Sequence, residues 1–264
     1  MHTTESAPAF SYACGAISAK LSRGERVLLQ DVSFSLSSGE RMAIIGETGS
    51  GKTMLALSIL GLLPANVRMQ SSCIQMDGAV LPVEKRLQSL RGDKLVYIPQ
   101  NGAEFLLPTR TVRKQLYDSL KKLGLPRKDF PALAAEKLHL AGFDAPETIL
   151  DKYPFQLSGG MAQRVTIALA ACSQARLLIA DEPTNGLDEA GRAQFFALLD
   201  SIFPDAAKLI ITHDISVASR CDRVLVLSGG RMLETGASGT VLSAPHHPYT
   251  KALLAAQVAN GMQP

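Results

Sequence analysis

One eight-residue stretch constrains the fold more than any other part of this sequence. It runs Gly46-Glu47-Thr48-Gly49-Ser50-Gly51-Lys52-Thr53 and has the spacing G-x-x-x-x-G-K-T. The apolar run 41–45 before it has the character of a buried parallel strand, and the run 54–60 after it carries strong helix formers. Glycines between a strand and a helix let backbone amides surround phosphate oxygens. We therefore expect a phosphate-binding loop in an α/β fold.

The same motif predicts the atoms that contact a nucleotide. Lys52 would reach the β- and γ-phosphates, and the hydroxyl of Thr53 would ligate Mg²⁺. A chance glycine-rich turn is the alternative, and it leaves the flanking strand and helix unexplained. The predicted nucleotide-binding residues are those of this stretch, Gly46, Glu47, Thr48, Gly49, Ser50, Gly51, Lys52 and Thr53, and the next residue, Met54.

Length and charge narrow the classes of protein. With 264 residues the chain suits one large domain or two small lobes, and its net charge of +3 is too small to argue for a nucleic-acid partner. We find no apolar run of the ~18 residues that a membrane span requires, and no export signal in residues 1–10. The four cysteines are scattered, so we expect reduced thiols acting as small hydrophobes: Cys14, Cys73, Cys172 and Cys221.

The pattern along the chain predicts short parallel strands alternating with helices. Residues 1–15 are expected to be loosely ordered, and Ser72–Val80 to form an antiparallel hairpin that turns at Asp77-Gly78. The segment 111–149 has apolar residues at helical spacing and is interpreted as a helical insertion. The expected strands are 27–36, 41–45, 94–98, 177–180, 208–212 and 223–227.

Two carboxylates end one of these apolar strands. Asp181 and Glu182 follow the run 177–180, and the carboxyl end of a buried strand lies at the ligand edge of an α/β sheet. Asp181 is therefore predicted to hold Mg²⁺ through water. Glu182 is predicted to act as a general base on an attacking water.

A second anion-binding helix start is predicted at Ser158-Gly159-Gly160. Ser158 can cap the helical run that follows, and the two glycines expose its first amides. An ordinary helix cap explains Ser158 but leaves the glycine pair unexplained. One phosphate loop and a second anion site in the same chain suggest a nucleotide held between two chains.

With these motifs in this order, the chain resembles the ATP-binding cassette (ABC) ATPases of membrane transporters over nearly its whole length. The residues that carry the resemblance are the phosphate loop, Gln100, Leu157-Ser158-Gly159-Gly160-Met161, Asp181-Glu182, Asn185-Gly186-Leu187-Asp188 and Thr212-His213-Asp214. The resemblance implies a RecA-like three-layer core at about 16–100 and 165–235. It also implies an antiparallel β subdomain, an inserted helical lobe at about 101–164 and a C-terminal extension at about 236–264, all in one nucleotide-binding domain.

The resemblance also implies roles for individual residues. Gln100 would contact Mg²⁺ and the lytic water, and His213 would contact the γ-phosphate and hold Glu182 and the water in place. Ser158, Gly159 and Gly160 would bind ATP held by the opposite chain, and Asp188 would lie at the dimer interface. The cofactors implied are ATP and Mg²⁺.

The C-terminal segment Ser243–Leu254 narrows the subfamily. It is similar to the ending of the oligopeptide, dipeptide and nickel importer ATPases, as are Lys152–Gln156 and Leu62-Leu63-Pro64. The sequence has no cysteine after Cys221, which favours the nickel and metal–chelate importers over the peptide importers. The implied partners are a second homologous ATPase, with a heterodimer favoured over a homodimer, two membrane permeases and a solute-binding protein. The implied location is the cytoplasmic face of the bacterial plasma membrane.

Two positions depart from the family pattern. The aromatic residue that stacks on adenine is expected near Leu21-Ser22-Arg23, where there is none. Arg23 would stack its guanidinium on the base instead, or would be a solvated surface residue, in which case Tyr12 is the next candidate. Asn185 stands where Thr or Ser is commoner.

Two other functions compete with the transporter ATPase. A cassette protein of DNA repair or of ribosomes would show long coiled-coil insertions or two fused cassettes. A phosphate-loop kinase or GTPase would give no role to the Leu157–Met161 stretch or to His213. Neither alternative fits this sequence as well as an importer ATPase does.

Overall fold

A computed structural model describes residues 8–21, 24–81 and 86–259 of the chain. The described residues form two compact units. The first unit lies within Met1–Ser89 and Asp205–Pro264, and the second unit is Leu90–Pro204. The lobe boundaries expected from the sequence stay a prediction.

Strands and helices alternate through much of the chain. In chain order they are β1 Phe10–Leu21, β2 Gly24–Leu36, β3 Arg41–Ile45, α1 Lys52–Leu60, β4 Val67–Met76, β5 Ala79–Leu81, α2 Arg86–Leu90, β6 Leu95–Ile98, α3 Gly102–Phe105, α4 Val112–Lys122, α5 Phe130–Leu140, α6 Glu147–Leu150, α7 Gly159–Ala170, β7 Leu177–Asp181, α8 Glu189–Ile202, β8 Ala207–Ile211, α9 Ile215–Ala218, β9 Arg223–Ser228, β10 Arg231–Ala237, α10 Ser238–Ser243 and α11 Pro248–Ala259. Short 3₁₀ turns lie at Arg127–Asp129 and Pro154–Gln156.

The first unit is built on a mixed sheet. Its strand order is β5-β4-β1-β2-β10-β9-β3-β8. β3 lies between β8 and β9 and is parallel to both, with Ala43 opposite Ile210 on one side and Val224 on the other. Residues 42–45 are fully buried, as expected for a continuous apolar strand covered on both faces. β3 therefore fixes the start of the loop that follows it.

The remaining strands of the first unit include an antiparallel region. β1 pairs with β2 and β4, and β4 pairs with β5 across the turn at Asp77-Gly78. Both turn residues have positive φ, 49° and 77°, as a tight hairpin requires. The predicted hairpin is therefore confirmed.

The prediction that residues 1–15 are loosely ordered is wrong from Phe10 onward. β1 begins at Phe10, and alternate side chains at Phe10, Tyr12 and Cys14 are buried. This period of two is that of a half-buried strand. Residues 1–7 lie outside the described part of the chain.

The second unit combines one pair of parallel strands with helices. β6 and β7 pair in parallel from Leu95 opposite Leu177 to Ile98 opposite Ala180. The helices α4, α5 and α6 lie in the segment predicted to be a helical insertion, and that prediction is confirmed. Thr111 caps α4 by accepting from the backbone N–H of Lys114.

The cysteines are free thiols, as predicted, and three of the four are buried. Across residues 8–21, 24–81 and 86–259, no helix combines the length and the apolar character needed to cross a bilayer.

Candidate functional site

The phosphate loop of the first unit follows β3 and ends at α1. Gly46 has φ 155°, and a Cβ there would lie 2.0 Å from the carbonyl oxygen of Leu227. Gly51 has φ 107°, and a Cβ there would lie 2.6 Å from Cδ2 of Leu29. Any side chain at either position would displace packed atoms. The fold itself therefore requires glycine at both ends of the loop.

The polar groups of this loop fit a bound phosphate chain. Lys52 Nζ donates to the carbonyl oxygens of Gly46 at 2.8 Å and Glu47 at 2.9 Å, which places the ammonium group over the loop. Ser50 is 1% exposed, and its Oγ has no hydrogen-bond partner among the described residues. A buried hydroxyl of this kind normally has an acceptor. Thr53 is exposed on the first turn of α1, followed by the half-buried Met54.

Asp181 and Glu182 stand at the carboxyl end of β7 in the second unit. Asp181 is 8% exposed, and its Oδ2 accepts a hydrogen bond of 3.2 Å from the hydroxyl of Tyr97 on β6. Burial, together with the negative charge of Asp181 and the hydrogen bond to it, raises the pKa of Tyr97. The phenol therefore remains a donor at physiological pH.

Glu182 has φ 45°, a left-handed conformation that non-glycine residues rarely adopt. Such strain costs about 1–3 kcal/mol and is often found at functional sites. The strained backbone turns the chain sharply between Asp181 and the loop that follows.

The described residues contain no cluster of side chains that could bind a metal ion by themselves. No group of three or more His, Cys, Asp or Glu side chains that could hold a metal ion occurs among them. Mg²⁺ at nucleotide sites takes one or two protein ligands, several waters and the phosphates of the nucleotide. Asp181 in the second unit and Thr53 in the first each carry an oxygen atom of the kind that Mg²⁺ binds.

Gln100 is exposed at a bend two residues after β6. Asn101 caps α3 by accepting from the N–H of Ala103 at 3.1 Å. A Cβ on Gly102 would lie 2.8 Å from Cα of Gln163, so α3 packs against the backbone of α7. The Gln100 bend is thus held against α7 within the second unit.

The predicted second anion site is an open helix start. Ser158 Oγ accepts from the N–H of Met161 at 3.3 Å and caps α7, as predicted. Gly159 and Gly160 are exposed, and no heavy atom among the described residues outside their own helix lies within 4 Å of where a Cβ would stand. Neither has positive φ. The described part of the chain therefore gives no steric or conformational reason for glycine at either position.

Asp188 and His213 are exposed at the ends of two loops. Asp188 Oδ1 accepts from the N–H of Gly191 at 2.8 Å and caps α8 in the second unit. His213 precedes α9 in the first unit, and Asp214 caps that helix through the N–H of Ser216 at 2.8 Å. The carbonyl oxygen of His213 accepts from Nε2 of Gln257.

The predicted site residues are divided between the units. The phosphate loop and His213 belong to the first, and Gln100, Ser158, Gly159, Gly160, Asp181, Glu182 and Asp188 belong to the second. Arg23 lies outside the described residues, so its contact with adenine stays a prediction. Tyr12, the fallback candidate, is excluded: it is 1% exposed, its hydroxyl is 2.7 Å from Ser58 Oγ, and its ring packs against Phe34.

Three residues beside the site were missed by sequence reasoning. Tyr97 lies in a predicted strand, and no motif marks it as a site residue. Tyr249 lies in the C-terminal segment that was used only to narrow the subfamily, and its hydroxyl accepts from the phosphate-loop N–H of Glu47. Gln257 carried no motif signal, and only the folded chain brings it to His213.

A strand, a phosphate loop and a helix on a mixed sheet define a phosphate-loop nucleoside triphosphatase. The family model described as ABC transporter matches residues 29–185, which is more than half of the sequence. The chain therefore belongs to the ABC transporter family, as the motifs predicted. As a member of this family it is an ATPase, and its cofactors are ATP and Mg²⁺.

Several curated relatives match most of the chain. The oligopeptide transport ATP-binding protein OppD of Bacillus subtilis is 38% identical to this chain. The match covers 91% of this chain and 69% of OppD. The nickel import ATP-binding protein NikD of Rhodospirillum rubrum is 35% identical, and the match covers 88% of this chain and 89% of NikD. The metal-staphylopine import system ATP-binding protein CntD of Staphylococcus aureus is 35% identical, with 87% of each covered.

Solved structures confirm the fold class. The dimeric structure of MJ0796, a bacterial ABC transporter cassette, superposes with a TM-score of 0.75 at 25% identity and covers 87% of this chain and 98% of its own. The prediction of a RecA-like α/β nucleotide-binding fold is therefore confirmed.

Proposed function

We propose that this chain is the ATP-hydrolysing motor subunit of an ABC importer that takes up a peptide, nickel or a metal chelate. One observation carries the proposal most directly. The chain holds a complete phosphate loop and also an open, glycine-rich helix start at Ser158-Gly159-Gly160 that its own fold does not need. The import functions named for OppD, NikD and CntD support the same class of transported substrate.

In the first unit, the loop amides and Lys52 would bind the triphosphate. Two features of the loop support this role: the Ser50 hydroxyl is buried without a hydrogen-bond partner among the described residues, and the Lys52 ammonium group donates to the loop carbonyls of Gly46 and Glu47. Bound Mg²⁺ would neutralise phosphate charge, and Thr53, Gln100 and Asp181 would hold it. These assignments follow the positions of the family motifs.

The hydrolytic step would depend on Glu182 and His213. Glu182 would accept a proton from the attacking water, and His213 would orient Glu182 and the water and contact the γ-phosphate. The left-handed backbone at Glu182 supports a functional role, because strained backbone conformations of this kind are concentrated at functional sites.

A second cassette would complete each site. Ser158, Gly159 and Gly160 of one chain would bind ATP held by the other, and Asp188 would lie at their interface. We propose a heterodimer with a homologous ATPase, with a homodimer as the alternative. The dimeric form of the MJ0796 cassette supports association of two cassettes.

The importer would also contain two membrane permeases, whose cytosolic loops would dock near the Gln100 bend. A solute-binding protein would deliver the cargo to those permeases. The ATPase would then lie at the cytoplasmic face of the membrane as a peripheral subunit.

Two substitutions test the proposed chemistry. Glu182→Gln should bind ATP normally but lower turnover at least about a hundredfold, because only the general base is removed. Lys52→Ala should weaken ATP binding at least about tenfold, because charge-assisted contacts to phosphate are lost. ATP affinity by calorimetry and phosphate release measure the two effects. Turnover by Glu182→Gln at the wild-type rate would refute the assignment.

The number and kind of chains in the ATP-bound complex test the proposed dimer. With ATP, Glu182→Gln should form a stable closed species, and light scattering should give twice the 28.2 kDa mass of one chain if the chain can pair with itself. Isolated from native membranes, the complex should contain one copy of this chain and one of a second cassette. Two copies of this chain and no other cassette would contradict the heterodimer.

A further inference from the structure

The C-terminal helix α11 contacts two segments that the proposed function places at the nucleotide. It packs within the first unit and follows the segment Ala244–His247. Its polar contacts reach the phosphate loop at one end and the His213 loop at the other.

The first contact is made by Tyr249. Its hydroxyl oxygen accepts a hydrogen bond of 3.1 Å from the backbone N–H of Glu47, the second residue of the phosphate loop. Ser228 Oγ donates to the Glu47 carboxylate at 3.3 Å. Glu47 is therefore held through both its backbone and its side chain, although it is an exposed residue.

The second contact is made by Gln257. Its side-chain Nε2 donates to the carbonyl oxygen of His213, and its Oε1 accepts from the N–H of Ile215 at 3.2 Å. One amide group thus holds the backbone on both sides of Asp214. Because both its donor and its acceptor are engaged, the side chain has one orientation.

The spacing of these two residues suits one helix. Tyr249 and Gln257 are eight residues apart, about two helical turns, so their side chains lie on neighbouring parts of one face. The beginning of the helix is fixed separately. Glu234 accepts from the N–H groups of His246 at 2.8 Å and His247 at 3.2 Å, and the side chain of Thr250 is fully buried.

We propose that α11 positions both halves of the first unit's nucleotide machinery, with Tyr249 setting the phosphate loop and Gln257 setting the backbone that carries His213. Both are positioning residues, since they act through Glu47 and His213. The inference rests on the roles proposed for those two segments. It assigns to the C-terminal segment a part in hydrolysis that no motif predicted.

The two contacts predict different kinetic effects from one helix. Tyr249→Phe removes the acceptor for the Glu47 N–H, so the loop is less well ordered and the KM for ATP should rise about two- to tenfold with kcat nearly unchanged. Gln257→Leu frees the His213 backbone, so kcat should fall about two- to tenfold with KM nearly unchanged. Lys251→Ala, an exposed change on the same helix, is the control and should alter neither.

Amide hydrogen exchange tests the contacts without depending on activity. Exchange at Glu47 should accelerate in Tyr249→Phe and not in Gln257→Leu, and exchange at Ile215 should show the reverse. This measurement separates failure of the inference from failure of the proposed function, since it remains valid if the wild-type chain hydrolyses no ATP. The inference would be overturned if KM and kcat changed together in both variants, in proportion to a loss of thermal stability. Wild-type kinetics and exchange in both variants would also overturn it.

Discussion

At the scale of single residues, the environment of Asp181 bears on its proposed role toward Mg²⁺. The carboxylate is nearly buried at the end of β7, and the Tyr97 hydroxyl donates to it from the neighbouring strand. A carboxylate has about four acceptor positions, and the Tyr97 hydroxyl uses one of them. Groups that hydrogen-bond a metal-binding residue commonly tune affinity about 10- to 100-fold.

The Tyr97→Phe substitution tests this arrangement. We expect the Mg²⁺ concentration for half-maximal ATP hydrolysis to rise about tenfold, because Asp181 loses the donor that orients it. Turnover at saturating Mg²⁺ should change much less. Tyr12→Phe is the matched control, since it also removes a buried hydroxyl but from the Ser58 contact in the other unit. An equal Mg²⁺ requirement in Tyr97→Phe and wild type would contradict the role.

The site residues differ in how far the sequence could predict them. The phosphate loop and the Ser158 cap are set by local spacing, so the structure places them as the motifs indicate. The partners Tyr97, Tyr249 and Gln257 depend on contacts between distant segments. The left-handed φ of Glu182 depends on the packing around it, and the residue type alone gives no signal for it.

At the scale of elements, the start of α7 is informative because its two glycines are unexplained by the chain. The helix is capped by Ser158, and no described atom outside the helix lies within 4 Å of where a Cβ would stand at Gly159 or Gly160. Glycine within a helix costs up to about 1 kcal/mol relative to alanine. The proposed role of these glycines toward ATP on the second cassette would account for this cost.

The Gly160→Ala substitution should therefore separate stability from activity. We expect thermal stability to stay equal or to rise by up to about 1 kcal/mol, because helix propensity improves and nothing is displaced. ATP hydrolysis should fall at least about tenfold, because the methyl group would occupy space needed by the partner's nucleotide. The measurements are a melting temperature and steady-state phosphate release.

A matched control for this substitution is present in α10. Gly239 is also the second residue of its helix and also has open space at the Cβ position. Gly239→Ala should have the same small effect on stability and leave hydrolysis unchanged. If Gly160→Ala also hydrolyses ATP at the wild-type rate, the open helix start does not bind a nucleotide.

The strands show which elements sequence patterns can predict. β3, β8 and β9 each contain three or more consecutive apolar residues in a parallel part of the sheet, and all three were predicted. β10 was not predicted, because its side chains are half-buried or exposed and include the polar Arg231, Glu234 and Thr235. β1 contains many small residues, and its pairing with β2 and β4 decides its conformation more than its composition does.

At the scale of the whole molecule, each unit contains a carboxylate that hydrogen bonds stabilise in its charged form. In the first unit, burial raises the pKa of Glu234, but the hydrogen bonds from the backbone amides of His246 and His247 outweigh it and lower the pKa. In the second unit, the bidentate bond from Arg113 lowers the pKa of Asp151, which is exposed. A carboxyl group whose pKa is lowered on folding stabilises the protein above its unfolded pKa, about 4, and loses that contribution as pH falls through the folded value.

The Glu234→Gln substitution tests this dependence and the attachment of α11 at once. At pH 6 the variant should melt about 2–4 °C below wild type, since two charge-assisted amide contacts worth about 1 kcal/mol together at a partly exposed site are weakened. The difference should shrink as pH falls from about 5 to about 3, because Glu234 of the wild type then becomes protonated. Asp151→Asn should show a difference that salt diminishes, since the Arg113 pair is open to solvent. Calorimetry across this pH range gives the melting temperatures of the wild type and both variants. If the melting-temperature difference between Glu234→Gln and the wild type is constant from pH 6 to pH 3, the carboxylate charge does not hold the start of α11.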